Sequence, residues 1–125
     1  MWKSHDGFVQ AVFTAVVPVT FVTNRANAVD LEFGGIRGDL PFGLTKKSGV
    51  RESMYPRGTK IFNRRQITIV SIEECAMIAS KLGVESLLPQ WMGANITLSG
   101  FPRLTQLSPR IRILFGSGAA LLTCQ

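Results

Sequence analysis

The chain has 125 residues, enough for one domain and too few for two cores of useful size. Hydrophobic residues make up 46% and charged residues 18%, a globular profile that excludes a disordered chain, and the longest apolar run, residues 11–22, is broken by Thr14, Pro18 and Thr20 and too short to span a bilayer. Two cysteines and one histidine exclude a disulfide-dense scaffold, a four-cysteine zinc site and Ser-His-Asp or Cys-His catalysis, whereas a net charge of +6 suits a binder of something anionic.

The N-terminus imitates a secretory signal, with Lys3, the apolar run and a small-x-small pattern at Ala26-Asn27-Ala28. Asn95-Ile96-Thr97 would then be a glycosylation acceptor. Asp6 and Arg25 stand where such a signal tolerates neither, and the run is rich in Val, Phe and Thr. That composition reads as the first strand of a cytoplasmic protein.

A strand is expected over residues 7–17, with a break near Pro18 and extended chain over 19–22. Residues 30–43 carry four glycines and a proline and read as a turn-rich loop. Residues 46–65 hold seven basic residues against one acid, Glu52, and read as a mobile or ligand-facing loop. Residues 66–70 alternate as a strand.

A helix follows over about residues 71–83. Ser71 and Glu74 form a capping-box pattern, Ile72, Cys75, Ala76, Ala79 and Leu82 recur at helical spacing, and Gly83 is a stop. A turn or short helix is placed around residues 85–92. Strands are expected again at 95–98, 111–115 and 119–123, punctuated by glycine and proline. The fold class is mainly β with one inserted α-helix, and a closed or partly closed barrel is expected because closure removes strand edges.

Four features can carry chemistry. The loop Gly34-Gly35-Ile36-Arg37-Gly38-Asp39 can cradle an anion on backbone N–H groups, or it is a tight turn capped by Asp39. It lacks the Gly-Lys-Ser/Thr of a P-loop and the following helix of a dinucleotide fingerprint. Arg64 and Arg65 precede a strand, so one can reach a pocket while the other faces solvent, and the arginine fork suits phosphate; the alternative is a solvated charged face. Cys75 falls on the apolar helix face as an inert small hydrophobe, and Cys124 is the candidate reactive thiol. Asn95, between a glycine turn and a strand, can bond a ligand edge or cap the turn, and Trp91 beside it reads as core.

Taken in order, these pieces resemble a MOSC domain, the fold at the C-terminus of molybdenum cofactor sulfurases. The pattern is Gly-Gly-x-x-Gly-Asp at residues 34–39, then Arg65-Gln66-Ile67-Thr68-Ile69 leading into a helix with an early Glu, Glu73 or Glu74. Gly93-Ala94-Asn95-Ile96-Thr97-Leu98-Ser99-Gly100 and Leu107-Ser108-Pro109-Arg110-Ile111-Arg112-Ile113 complete it. The resemblance covers residues 7–123, a single domain within 1–125. No one motif is specific, but the ordered set is.

The resemblance implies a β-barrel that binds the molybdenum cofactor (molybdopterin), or carries sulfur for its sulfuration, as a sulfurase-like or molybdenum-dependent activity. It implies cofactor contacts from Gly38, Asp39, Arg64, Arg65 and Asn95, and a sulfur-carrying or catalytic role for Cys124; it names no metal ligand set. Implied partners are the molybdenum-pterin cofactor and a cysteine desulfurase or molybdoenzyme, with no membrane. Pyridoxal phosphate belongs to a separate domain of the fused relatives, for which this chain has no room.

Two positions depart from the pattern. Pro41 stands where members carry a histidine, and Cys124 follows Thr123 without the family's proline. The expectation is a C-terminal end that is incomplete, with the family's Pro-Cys missing or beyond Gln125. The alternatives are a small basic β-barrel that binds single-stranded nucleic acid, for which Tyr55 and Phe62 are the aromatics within residues 46–65, and an inactive remnant of the fold.

Overall fold

The computed structural model describes residues 5–16, 20, 22–63 and 66–123. Its ten strands are β1 (Phe8–Thr14), β2 (Asn24–Ala26), β3 (Leu31–Glu32), β4 (Gly35–Ile36), β5 (Thr45–Lys47), β6 (Lys60–Phe62), β7 (Ile69–Ser71), β8 (Ile96–Ser99), β9 (Arg112–Leu114) and β10 (Ala120–Leu122). One α-helix, α1 (Ile72–Leu82), lies between β7 and β8. The mostly-β reading with a single inserted helix therefore holds.

The central sheet has the order β2-β1-β8-β7. β8 is antiparallel to β1 and parallel to β7. Ile96, Thr97 and Leu98 of β8 are all buried, as expected for a strand flanked on both sides and covered on both faces. Phe13, Cys75, Ala79 and Ala94 complete the core around it. β3–β4, β5–β6 and β9–β10 are separate two-stranded hairpins. Among the described residues the sheet does not close on itself, so the barrel is not seen in the strand pairing.

The helix begins and ends where its sequence signals stand. Ser71 accepts the Glu74 N–H at 3.2 Å, and Gly83 takes the left-handed conformation (φ 72°) that stops the helix. The capping-box pattern is only half used. The Glu74 side chain does not return to Ser71 but accepts the Thr105 N–H and hydroxyl, and Glu73 accepts the Phe101 N–H at 2.8 Å. Two first-turn carboxylates thus favour the positive helix end and also hold the loop after β8.

Two other expectations change, the loop over residues 46–65 and Trp91 as core. The stretch read as a mobile loop contains an ordered hairpin, with Thr45↔Phe62, Lys46↔Ile61 and Lys47↔Lys60 in register. Its connection is stapled by the buried Ser48, whose hydroxyl donates to the Pro56 carbonyl and accepts the Thr59 N–H at 2.7 and 2.9 Å. The segment around 85–92 forms one 3-10 turn, Pro89–Met92, and Trp91 is half exposed rather than core. Of the extended stretch 19–22, Val19 and Phe21 lie outside the described residues, as does Pro18.

Candidate functional site

Four chain segments meet at the end of the sheet where β1 finishes and β7 and β8 begin. Asp39 and Asn95 join them. The Asp39 carboxylate accepts the Ala15 N–H at 2.6 Å and the Asn95 side-chain N–H at 3.1 Å. Asn95 also donates to the Phe13 carbonyl at 3.2 Å and accepts the Thr68 N–H at 3.0 Å. The Asn95 and Ile96 N–H groups both reach the Thr68 carbonyl, and the Leu40 N–H reaches the Ala15 carbonyl.

Both side chains are buried, Asp39 at 5% and Asn95 at 2% exposure. Buried polar atoms need partners, and here each side-chain polar atom has one inside the protein. Their geometry is that of a scaffold beneath the loops, with no polar atom turned to solvent. The same burial leaves Asn95 inaccessible to glycosylation.

Gly38 lies on the outer side of this scaffold. It is exposed, its φ is 81°, and a Cβ added there would meet nothing within 4 Å. The positive φ favours glycine, and the open space leaves the loop backbone approachable. Arg37, next to it, is engaged by Glu32, whose hydrogen bond and charge hold the guanidinium pKa further up.

Arg64 and Arg65 lie outside the described residues, but both of their neighbours are fixed. The Asn63 amide donates to the Pro41 and Gly43 carbonyls at 2.6 and 2.9 Å, and Gln66 donates to the same Gly43 carbonyl at 3.3 Å. Asn63 and Gln66 are thereby tied to the loop that carries Gly38 and Asp39. Sequence reasoning missed Asn63, Gln66 and Thr68. Gln66 and Thr68 stood in the expected strand and in the family pattern without a role, and Asn63 offered only polarity beside a strand, which solvated residues share.

The β5–β6 hairpin runs into this segment. Lys47 and Lys60 stand directly opposite each other, exposed, with Phe62 on the same face and 78% exposed. Like charges opposed in this way destabilise a hairpin, so the pair is unfavourable by itself. Neither lysine, nor Arg51 or Arg57, makes an ion pair among the described residues, whereas Lys46 is paired with Glu52.

Cys75 is a buried residue of α1. Burial, and then the Glu74 charge, push its thiol pKa up and keep it neutral, so it is a poor nucleophile and metal ligand. Cys124 lies outside the described residues. Among the described residues no group of three His, Cys, Asp or Glu is placed to hold a metal ion. No helix among them is long and apolar enough to cross a membrane.

The family model for the MOSC domain matches residues 45–125. A Bacillus subtilis (strain 168) protein, YuaD, named as a candidate for metal-sulfur cluster biosynthesis, is 55% identical over 122 residues, 98% of this chain and 63% of that protein. The crystal structure of YuaD from Bacillus subtilis superimposes with a TM-score of 0.92, covering 98% of this chain and 66% of that chain. This chain thus spans a little under two thirds of the relative's length. With the ordered motifs, the matching family model and a relative sharing more than half of its residues, the chain belongs to the MOSC domain family.

Proposed function

We propose that the protein binds a phosphate-bearing anionic cofactor, the molybdenum-pterin cofactor, and serves in sulfur or metal-sulfur delivery. The observation that carries this reading is the tethering of Asn63 and Gln66, the chain neighbours of Arg64 and Arg65. Asn63 and Gln66 both donate to the Gly43 carbonyl, in the loop that also carries Gly38 and Asp39. Lys47 and Lys60, opposed on the β5–β6 hairpin, make no ion pair among the described residues. An opposed like-charge pair suits an anion bound between or beside the two lysines.

The described residues fit the phosphate end of such a cofactor and offer no ligand set for its metal. When bound, the cofactor supplies soft metal and sulfur chemistry. This chain's residues bind and orient its anionic end. Asp39 and Asn95 support the loops from below, and Gly38 leaves room for close approach. Cys124 is the thiol in this reading that carries sulfur, since Cys75 is buried and neutral. The relative's name, which points to metal-sulfur clusters, supports the sulfur theme.

The test is to incubate purified protein with molybdenum cofactor and measure retained pterin by fluorescence after oxidation. Arg64→Ala with Arg65→Ala is expected to lose binding at least tenfold, and Cys124→Ser to abolish protein-bound persulfide while leaving pterin binding intact. Equal pterin retention by the wild type and the double arginine variant overturns the proposal.

One observation favours a second reading. Lys47, Lys60 and the exposed Phe62 share a face, and half-exposed Tyr55 stands on the connecting loop, a combination that suits base stacking beside phosphate contacts. Binding of single-stranded oligonucleotides that weakens steeply with salt and is lost in Phe62→Ala would establish it.

A further inference from the structure

The connection between β5 and β6 combines exposed cations with exposed apolar side chains. Arg51 and Arg57 stand on it, and both are exposed. Glu52 is the acid of this stretch and is already engaged, pairing with Lys46 and accepting the Gly49 N–H at 3.1 Å. Arg51 and Arg57 make no ion pair among the described residues. Beside them Val50 and Met54 are 77% and 75% exposed, and Tyr55 is half exposed.

The backbone holds these side chains outward. Three successive turns fold the connection, closed by the Glu52 N–H on the Gly49 carbonyl, the Tyr55 N–H on the Glu52 carbonyl and the Thr59 N–H on the Pro56 carbonyl. Val50 and Arg51 are the two corners of the first turn, Met54 is a corner of the second and Arg57 a corner of the third. Turn corners ordinarily take Gly, Pro, Asn, Asp or Ser, so the turns themselves give no reason for Val50 and Met54. Ser48 ties the whole connection to its base, donating its N–H to the Thr59 carbonyl at 2.7 Å and accepting the Gly58 N–H at 2.9 Å. The tip is therefore formed in advance, and little ordering is lost when it meets a partner.

We propose that this hairpin tip docks on the surface of an anionic lipid bilayer. Val50 and Met54 enter the acyl boundary, Tyr55 lies at headgroup level, and Arg51 and Arg57 meet the acidic headgroups. A bilayer of this kind is acidic outside and apolar beneath, which matches cations interleaved with aliphatic side chains. Tyrosine suits the boundary between the two. Single-stranded nucleic acid is met by aromatic rings beside cations, and Val50 and Met54 offer it no stacking surface. The attachment is to a surface, with no segment crossing it. It goes beyond the cofactor reading and does not rest on it, since the tip uses none of the residues proposed there.

The experiment sediments the full 125-residue chain with vesicles of phosphatidylcholine, alone or mixed with phosphatidylglycerol. Binding is expected to the mixed vesicles and to be at least tenfold weaker to phosphatidylcholine alone. Arg51→Ala with Arg57→Ala is expected to weaken binding about thirtyfold, from roughly fivefold for each cation near the surface. Val50→Ser with Met54→Ser keeps every charge and is expected to weaken it about tenfold. The turns are closed by backbone groups, so both variants are expected to unfold in urea as the wild type does. A tryptophan introduced as Met54→Trp is expected to be quenched by lipids brominated in their acyl chains, beyond any quenching in the wild type. Lys47 and Lys60 stay in place throughout, so the cofactor reading can fail without affecting these results.

The proposal is overturned if the protein does not sediment with the mixed vesicles, if it binds both vesicle types equally, or if the serine variant binds as the wild type does. Single-stranded oligonucleotide that binds more tightly than the mixed vesicles, with that binding lost in the arginine variant, assigns the tip to nucleic acid and overturns it as well.

Discussion

Asp39 and Asn95 are 56 residues apart in sequence, yet their side chains share a buried hydrogen bond of 3.1 Å. Through it the end of β1, the glycine loop and the entries to β7 and β8 become one unit. Removing Asn95 strands the Asp39 carboxylate, the Thr68 N–H and the Phe13 carbonyl together. Asn95→Ala is expected to cost about 3 kcal/mol, at the upper end for unsatisfied buried groups, read by urea unfolding. Asn95→Asp, which sets a second carboxylate against Asp39, is expected to recover stability as pH falls and one carboxylate protonates.

The helix start makes a second prediction. Ser71→Ala removes the cap and is expected to cost about 1 kcal/mol. Glu74→Ala keeps the cap and releases Thr105 instead. Faster hydrogen exchange around the turn Leu104–Gln106, with α1 still protected, is the expected signature.

Cys75 supplies a pH prediction. Its thiol pKa is raised in the folded state by burial and Glu74, so the folded protein holds this proton to higher pH than the unfolded chain does. The stabilising contribution is complete below the ordinary thiol pKa of about 8.5 and is lost as pH rises through the raised folded value. Unfolding followed above pH 8.5 is expected to show a shallower loss of stability in Cys75→Ala than in the wild type. Alkylation of Cys75 in the native protein is expected to be slow, at a rate set by opening of the helix.

Lys47 and Lys60 separate stability from binding. Lys60→Glu replaces an opposed like-charge pair by an attractive one and is expected to stabilise the hairpin slightly, most visibly at low salt. The same change is expected to weaken binding of the anionic cofactor severalfold. A variant that is stabilised but binds the cofactor as the wild type does would remove the hairpin from the site.

Gly38→Ala tests the approachable loop. With nothing within 4 Å of the added methyl group, the expected cost is only the backbone strain at φ 81°, about 1 kcal/mol in thermal unfolding. A much larger loss of cofactor retention than of stability would mark the ligand's approach to this loop.

Local interactions were legible in the sequence, because neighbours in the chain decide them. Ser71 and Gly83 bound the helix by bonding groups three or four residues away, and strand composition placed β8 within one residue and β7 within three. The Gly34–Asp39 pattern and the block around Asn95 also carried the family, since ordered motifs survive without knowledge of their contacts. The site was legible only in outline. Asn95 read as either a ligand contact or a cap because its partners, Phe13, Asp39 and Thr68, come from three distant segments.

By itself the sequence determined the strands of the central sheet in outline, the helix limits, the excess of positive charge and the family, all properties of local spacing and composition. The tertiary structure decided what those residues face. It turned Asp39 and Asn95 inward, because a buried polar atom must find its partner wherever the fold supplies one. It made a hairpin of the basic stretch, opposed Lys47 to Lys60, and drew Glu74 from its helix cap to Thr105. Strand pairing and side-chain contact depend on which distant segment arrives beside a residue.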